Sequence, residues 1–400
     1  MQTNSYAYLA AGLRSPIGSF GRTLKPLRAT DFATVVAKEL LSRYGVNPSD
    51  IEMVIGGMVL QDMTESNPAR IVSKRCDIPN DTPAFTLNMQ CCSGMAALIQ
   101  AAEKVALGRA DCVLAIGMES MSSAPYMTSG SRWGLRLGST EFTDTLKECT
   151  LAGSKMWGDP KYMIDVAENH AKVDGVSREE MDEYAVVSHR RALDAIDNGR
   201  LQDEIVPIAV PQKKNGTIVF SEDEQPRRDI SLESLSRLRP VTPGGVITAG
   251  NAASINDGAA VVLICSEKGL AKLGLSPLAK IPLSGMSMVG CDPSLMGYSC
   301  VDALDAALTS YGKKVDDMDL IECNEGFAVQ LLACREAGQW PHDRLNVDGG
   351  GVGLGHPVGM SGIRIVLHLA NSLHQRDGKV GAATVPAGSG LGTAVVLERP

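Results

Sequence analysis

The feature that most constrains this chain is an alternation of short apolar runs with longer helical stretches, punctuated by glycine. The runs Val54-Ile55-Gly56-Gly57, Cys112-Val113-Leu114-Ala115-Ile116-Gly117 and Ala394-Val395-Val396-Leu397 are apolar throughout, and Glu179 to Ala195 and Ser361 to Leu373 read as helices. Strands without a polar face must be covered on both sides, so the pattern predicts an α/β fold with buried strands. Glycine supplies 41 of the 400 residues and aromatics only 4%, so small side chains do much of the packing.

Two stretches look like versions of one unit. Ser93-Gly94-Met95-Ala96-Ala97 opens a helix and Asp111 begins a strand; Ser361-Gly362-Ile363-Arg364-Ile365 opens a helix and Lys379 begins a strand. The interval from glycine to strand is 17 residues in both. The shared Ser-Gly, the equal helix length and the glycine-rich turn that follows predict a duplicated half. Between the copies, Ser122 to Thr248 changes character, with Arg132, Trp133, Lys147 and Lys155 early and Gln212-Lys213-Lys214-Asn215-Gly216 as a hairpin-like turn. This reads as an inserted loop domain. The predicted division is a first half at 1–121 and 250–271, a loop domain at 122–249 and a second half at 272–400.

A formal charge of −8 argues against nucleic acid or an anionic membrane as partner, although Arg227, Arg228, Arg237 and Arg239 form a local cluster suited to phosphate. No run of 18 apolar residues appears, and Met1 to Ala11 lacks the pattern of a signal peptide, so a cytoplasmic protein is expected. Ten cysteines without CxxC spacing argue against a disulfide framework and against a zinc site; no metal is expected.

Four blocks can carry chemistry. In Asn88-Met89-Gln90-Cys91-Cys92-Ser93-Gly94 a strand runs into a helix with cysteine at the junction, where helix N–H groups stabilise a thiolate and lower its pKa. The other reading of Cys91 and Cys92 is as small buried residues. Gly349 to Gly359 sets His356 among six glycines, a loop that can bring N–H groups and an imidazole close to a ligand. Glu322-Cys323-Asn324-Glu325-Gly326 follows an apolar strand and can orient a water or serve as a cap. Pro386-Ala387-Gly388-Ser389-Gly390-Leu391-Gly392 is a hairpin turn or a source of oxyanion-binding N–H groups.

In this order the four blocks resemble the thiolase family, where they appear as Cys-x-Ser-Gly, Asn-Glu-x-Phe, Gly-His-Pro and a terminal Cys-x-Gly. The resemblance extends to Arg14-Ser15-Pro16-Ile17-Gly18, Glu119-Ser120-Met121-Ser122, Ala167-Glu168-Asn169, Asp203-Glu204-Ile205-Val206-Pro207, Leu238-Arg239-Pro240 and Thr248-Ala249-Gly250-Asn251. It implies two similar α/β halves in five layers, with helices between two five-stranded mixed sheets and the loop domain inserted in the first half. It further implies acyl-CoA substrates, no cofactor beyond them, and a homodimer or homotetramer. On matching residues, Cys91 is the acylated nucleophile and His356 its base. His356 and a water on Asn324 form one oxyanion site, and the N–H groups of Cys91 and Gly388 form the other. Arg227, Ser234, Met163 and Ala253 lie along the coenzyme A path.

One departure matters. The resemblance places a second, proton-carrying cysteine where this chain has Pro386, which has neither an acidic proton nor an N–H. Cys300, Cys323 and Cys92 are the thiols considered as substitutes, Cys300 first, because its loop lines the pocket in the family. Three readings follow: a thiolase making or breaking carbon–carbon bonds, an acyltransferase that passes the group from Cys91 to another acceptor, and a non-catalytic thiolase-like subunit.

Overall fold

The computed structural model describes residues 5–151, 161–212 and 216–400. Lys155 and the tip of the expected turn at 213–215 lie outside them. The strands flanking that tip, Ile208–Gln212 and Gly216–Phe220, pair antiparallel as the hairpin requires.

The two halves repeat one topology. In the first, Cys112–Ser120 runs parallel to Met53–Gly57 on one side and antiparallel to Asn256–Cys265 on the other. In the second, Val380–Ala387 runs parallel to Leu320–Cys323 and antiparallel to Leu391–Glu398. Each of these pivotal strands is preceded by a helix, Ser93–Ala106 or Ser361–Gln375, so the duplication read from Ser-Gly and the shared interval is present in three dimensions. The halves do not form separate sheets. Ala279–Pro282 pairs with Tyr6–Arg14 of the first half and with Leu391–Glu398 of the second, joining all into one sheet of 11 strands among the described residues.

Five layers follow from where the apolar side chains go. One cluster fills the space around the two central helices, joining Met95, Leu98 and Ile363 to inward residues of both halves, including Ile55, Val262, Val385 and Val395. A second covers the far face of the first half under the helix Ala29–Arg43, through Phe32, Val36 and Leu40. A third covers the far face of the second half under Ser299–Tyr311 and Ala328–Ala337, through Leu304, Leu308 and Leu331. The central helices cross backbone to backbone at the two Ser-Gly pairs. A Cβ on Gly94 would lie 2.6 Å from the Gly359 carbonyl, and one on Gly362 would lie 2.3 Å from the Met95 nitrogen. Larger residues there would push apart the layer that presents Cys91 and His356.

The inserted segment is anchored by buried charge. Arg14, fully buried at the end of the first strand, pairs with Glu204 at 2.7 Å and with both carboxylate oxygens of Asp223 at 2.8 and 2.9 Å. The segment's helix Arg178–Asp197 reaches the second half, where Tyr184 and Ser188 donate to Glu325.

Candidate active site

A tight turn sets Cys91 at the head of a central helix. Gln90 takes a left-handed φ of 53°, a conformation that costs a non-glycine residue of order 1–3 kcal/mol unless its surroundings impose it. Ser93 supplies the brace: its Oγ accepts from the Met89 N–H at 2.8 Å and donates to the Gln90 carbonyl at 2.7 Å. Cys91 is left half-buried, ahead of the N-cap residue Cys92. Cys92 is fully buried and turned away, its Sγ 3.1 Å from the Val385 carbonyl.

Burial pushes the Cys91 thiol up to about 11; the N–H groups of Gly388 and of Cys91 itself pull it partway back, and the Glu119 charge adds to the rise. The lowered pKa expected at a helix N-terminus is therefore not found. The sulfur sits before the helix in an apolar chamber, and lost hydration outweighs two N–H donors. Gly388 is held by a hairpin turn with left-handed φ of 69° at Ser389 and 72° at Gly390, so the block is both a turn and a donor.

His356 ends the glycine-rich loop, its backbone N–H donating to Asn256 Oδ1 at 2.9 Å. Nδ1 lies 2.7 Å from Ser361 Oγ, whose hydroxyl donates to the Pro357 carbonyl at 3.0 Å. The serine oxygen must then accept from the ring, which assigns the proton to Nδ1 and leaves Nε2 unprotonated, an acceptor. Burial, with the Arg364 charge behind it, brings His356 down to about 4, so the imidazole is neutral at physiological pH. Asn324 Nδ2 stands 3.4 Å from Nε2, and Asn324 Oδ1 is buried with no hydrogen-bond partner among the described residues.

Glu325, in the block read as a water-orienting or capping segment, braces both loops. Its carboxylate accepts from Tyr184 Oη at 2.5 Å, Asn346 Nδ2 at 2.8 Å, Ser188 Oγ at 2.7 Å and the Val352 N–H at 2.9 Å. It thereby ties the Asn324 loop to the one that ends in His356. Glu119 does similar work, accepting from the N–H groups of Val59, Leu60 and Gly359 at 2.9–3.0 Å; burial lifts it to about 7. A lone buried carboxylate has no spacing signal, so neither role was legible from the sequence.

Cys91, Asn324, His356 and Pro386 line one small chamber of about 120 Å³, walled by Met121, Met296, Ile255 and Phe327. It continues into a wider cleft of about 690 Å³ through Thr150, Met163, Ala253, Ser254, Ile255 and Phe327, which line both. Arg227 edges the cleft, and so does Arg22, which the sequence reading did not single out. Met163, Ala253 and Arg227 thus share one path with Cys91. Ser234 does not join them: it is exposed, and its Oγ donates to the Ser231 carbonyl at 2.8 Å.

Cys300, expected as the substitute thiol, does not reach the chamber. It is fully buried, its Sγ 3.1 Å from the Gly297 carbonyl and 3.7 Å from Cys323 Sγ, with Gln330 and Cys334 beside them. The first turn of Ser299–Tyr311 carries it behind the pocket wall, so neither Cys300 nor Cys323 lines the chamber. A different thiol does: Cys149, at the end of the short helix Thr145–Cys149. The only available sequence signal was that it is the one cysteine between 122 and 249. Among the described residues no group of His, Cys, Asp or Glu is placed to hold a metal ion, and no helix is long and apolar enough to cross a membrane.

A duplicated five-layered α/β fold with a cysteine and a neutral histidine facing one chamber defines a class of acyl-handling enzymes, and comparison with known proteins makes the assignment specific. Residues 7–268 match the family described as thiolase, N-terminal domain, and residues 275–399 match thiolase, C-terminal domain. An acetyl-CoA acetyltransferase of Chromobacterium violaceum is 42% identical over 393 residues, spanning 98% of this chain and 99% of that protein. The crystal structure of the Bacillus anthracis acetyl-CoA acetyltransferase superposes with a TM-score of 0.96 at 38% identity, covering 100% of both chains. That of human mitochondrial 3-ketoacyl-CoA thiolase in complex with CoA gives 0.93 at 39% identity, covering 100% of this chain and 99% of that one. The chain belongs to the thiolase family.

Proposed function

We propose that the chain acts as an acyl-CoA C-acyltransferase through an acyl-Cys91 thioester, cleaving or forming a 3-oxoacyl-CoA. The observation that carries this reading is the convergence of Cys91 Sγ, the unprotonated Nε2 of His356 and the Gly388 N–H on one chamber at the foot of a wide cleft. His356 Nε2 takes the proton from Cys91 as the sulfur attacks the acyl carbon, because the thiol holds its proton tightly and must lose it in the same step. The N–H groups of Cys91 and Gly388 receive the charge that develops on that carbonyl oxygen. Protonated His356, with a water anchored on Asn324 Oδ1, serves the thioester oxygen of the second substrate. Coenzyme A runs along the cleft past Met163 and Ala253, with Arg227 and Arg22 near its phosphates; no other cofactor is needed for this chemistry.

Pro386 at the chamber wall favours a second reading, in which the acyl group passes from Cys91 to an acceptor that needs no proton moved at carbon. An exposed apolar run, Tyr126, Met127, Trp133, Leu135, Leu137 and Phe142, supports assembly as a homodimer or homotetramer through the inserted segment. A cytoplasmic location and the domain limits 1–121 with 250–271, 122–249 and 272–400 belong to the same proposal.

Intact-mass spectrometry with acetyl-CoA and acetoacetyl-CoA, with and without free coenzyme A, tests it. An acyl adduct that is lost in Cys91→Ser and clears with coenzyme A alongside acetoacetyl-CoA cleavage is the expected result. An adduct that forms and persists without cleavage would select the other acceptor, and undiminished labelling of Cys91→Ser would reject Cys91 as nucleophile.

A further inference from the structure

Carbon–carbon cleavage leaves an electron pair on the substrate α carbon, and some group in the chamber must supply the proton. Pro386 has none. Cys92 is turned to the Val385 carbonyl, and Cys300 and Cys323 face each other behind the wall. Cys149 is half-buried and lines the chamber together with Cys91, His356 and Asn324, its Sγ–H directed to the Leu146 carbonyl at 3.0 Å. An acyl unit bonded to Cys91 therefore enters the same chamber that Cys149 borders. The same chamber holds the unpartnered Asn324 Oδ1, buried at 1% exposure, which independently marks it as a place where a polar ligand completes the wall.

We propose that Cys149 is the catalytic proton carrier at the substrate α carbon, replacing from the inserted segment the thiol that the position of Pro386 does not provide. This rests on the acyltransferase reading above. In the cleavage direction Cys91 sulfur bonds to C3 of a 3-oxoacyl-CoA while its proton moves to His356 Nε2. The C2–C3 bond breaks with its electron pair remaining on C2, and Cys149 Sγ–H gives its proton to C2, releasing acetyl-CoA. His356 returns its proton to the Cys149 thiolate, and its neutral Nε2 takes the proton of the incoming coenzyme A thiol as that sulfur attacks acyl-Cys91. The Cys91 sulfur then leaves and recovers the proton from His356, so no proton or electron is left over. Burial, together with the charges of Glu119, Cys91 and Asp144, pushes the Cys149 thiol up to about 12. It therefore enters the cycle protonated and, once ionised, readily takes a proton back from the His356 imidazolium.

The experiment compares wild type, Cys149→Ala and Cys149→Ser in three measurements: acyl loading of Cys91 from acetyl-CoA, acetoacetyl-CoA cleavage, and deuterium uptake into the acetyl-CoA methyl group in D2O. Both variants should load Cys91 as wild type does, which also reports an intact fold. Cleavage should fall by about 10²–10⁴-fold, and deuterium uptake should fall with it. Normal cleavage and uptake in Cys149→Ala would overturn the proposal. Loss of loading in both variants would also overturn it, making Cys149 a packing residue. A wild-type adduct without cleavage or deuterium uptake rejects the role of Cys149 alone, whereas no wild-type adduct rejects the acyltransferase reading beneath it.

Discussion

Cys91 should react with iodoacetamide slowly at neutral pH and about tenfold faster for each unit of pH up to its pKa. The thiol stands at about 11 against an ordinary 9.0, because burial outweighs the two N–H groups that reach the sulfur. At pH 7 that leaves ~10⁻⁴ of the site as thiolate, against ~10⁻² for an exposed cysteine. His356 stands at about 4. Moving the thiol proton onto the ring in the resting site is thus uphill by roughly 9–10 kcal/mol, at 1.36 kcal/mol per pH unit and before any attraction between the new charges. The pair should rest as neutral thiol and neutral imidazole and separate charge only as the acyl carbon is attacked. Peptide-resolved mass spectrometry across pH 6 to 10.5 reads the rate at Cys91, with the Cys149 peptide, its thiol near 12, as the slower internal comparison. A rate at Cys91 that is already high and flat between pH 5 and 8 would mean a resting thiolate–imidazolium pair. That result would refute the claim that desolvation governs this site.

Two further substitutions separate bracing from chemistry. Glu325→Gln replaces one of two oxygens that between them accept four hydrogen bonds; a hydroxyl from Tyr184 or Ser188 can turn round to accept, but the N–H of Val352 or Asn346 cannot. With ~1.5–3 kcal/mol for a hydrogen bond to a charged group, a loss of about 2–4 kcal/mol in thermal or urea unfolding is expected, with a lower kcat. Unchanged stability and turnover would show that Glu325 does not fix the two loops. Cys300→Ala, by contrast, should cost about 1 kcal/mol of stability as a small core truncation and leave acetoacetyl-CoA cleavage within twofold. A tenfold fall in turnover would return Cys300 to the chemistry.

The parts of the fold that were legible in the sequence are those set by local pattern. Ser93 and Ser361 open their helices where the Ser-Gly repeat puts them, and the strands Cys112–Ser120 and Val380–Ala387 start one residue after Asp111 and Lys379. Apolar runs without alternation marked strands that are covered on both faces. What the pattern could not carry was the joining of the two halves through Ala279–Pro282, since a four-residue strand that pairs with both neighbours has no signature of its own. The site divides in the same way. Cys91, Asn324 and His356 sit in glycine- or turn-marked blocks whose backbone needs restrict the sequence. Glu325 and Glu119 act by receiving N–H and O–H groups from distant segments, and that is a property of the assembled fold alone.

Cys149 and Cys300 show the limit most clearly, because chemical type and chain neighbourhood point to the wrong one. Cys300 follows a loop beside the pocket, and the first turn of its helix Ser299–Tyr311 directs the sulfur inward to the Gly297 carbonyl. Cys149 is far from every glycine-rich block, on a five-residue helix that Asp144 caps through the Leu146 N–H at 2.9 Å. Thr145 Oγ1 ties the same turn to the Pro125 carbonyl at 2.5 Å. A proton carrier on this short helix is positioned by the inserted segment, whereas one at position 386 would be positioned by the sheet. Substitutions at Asp144 or Thr145 would then act on proton transfer at carbon without touching acylation of Cys91, a separation that a thiol fixed in the strand Val380–Ala387, beside the Gly388 N–H, would not permit.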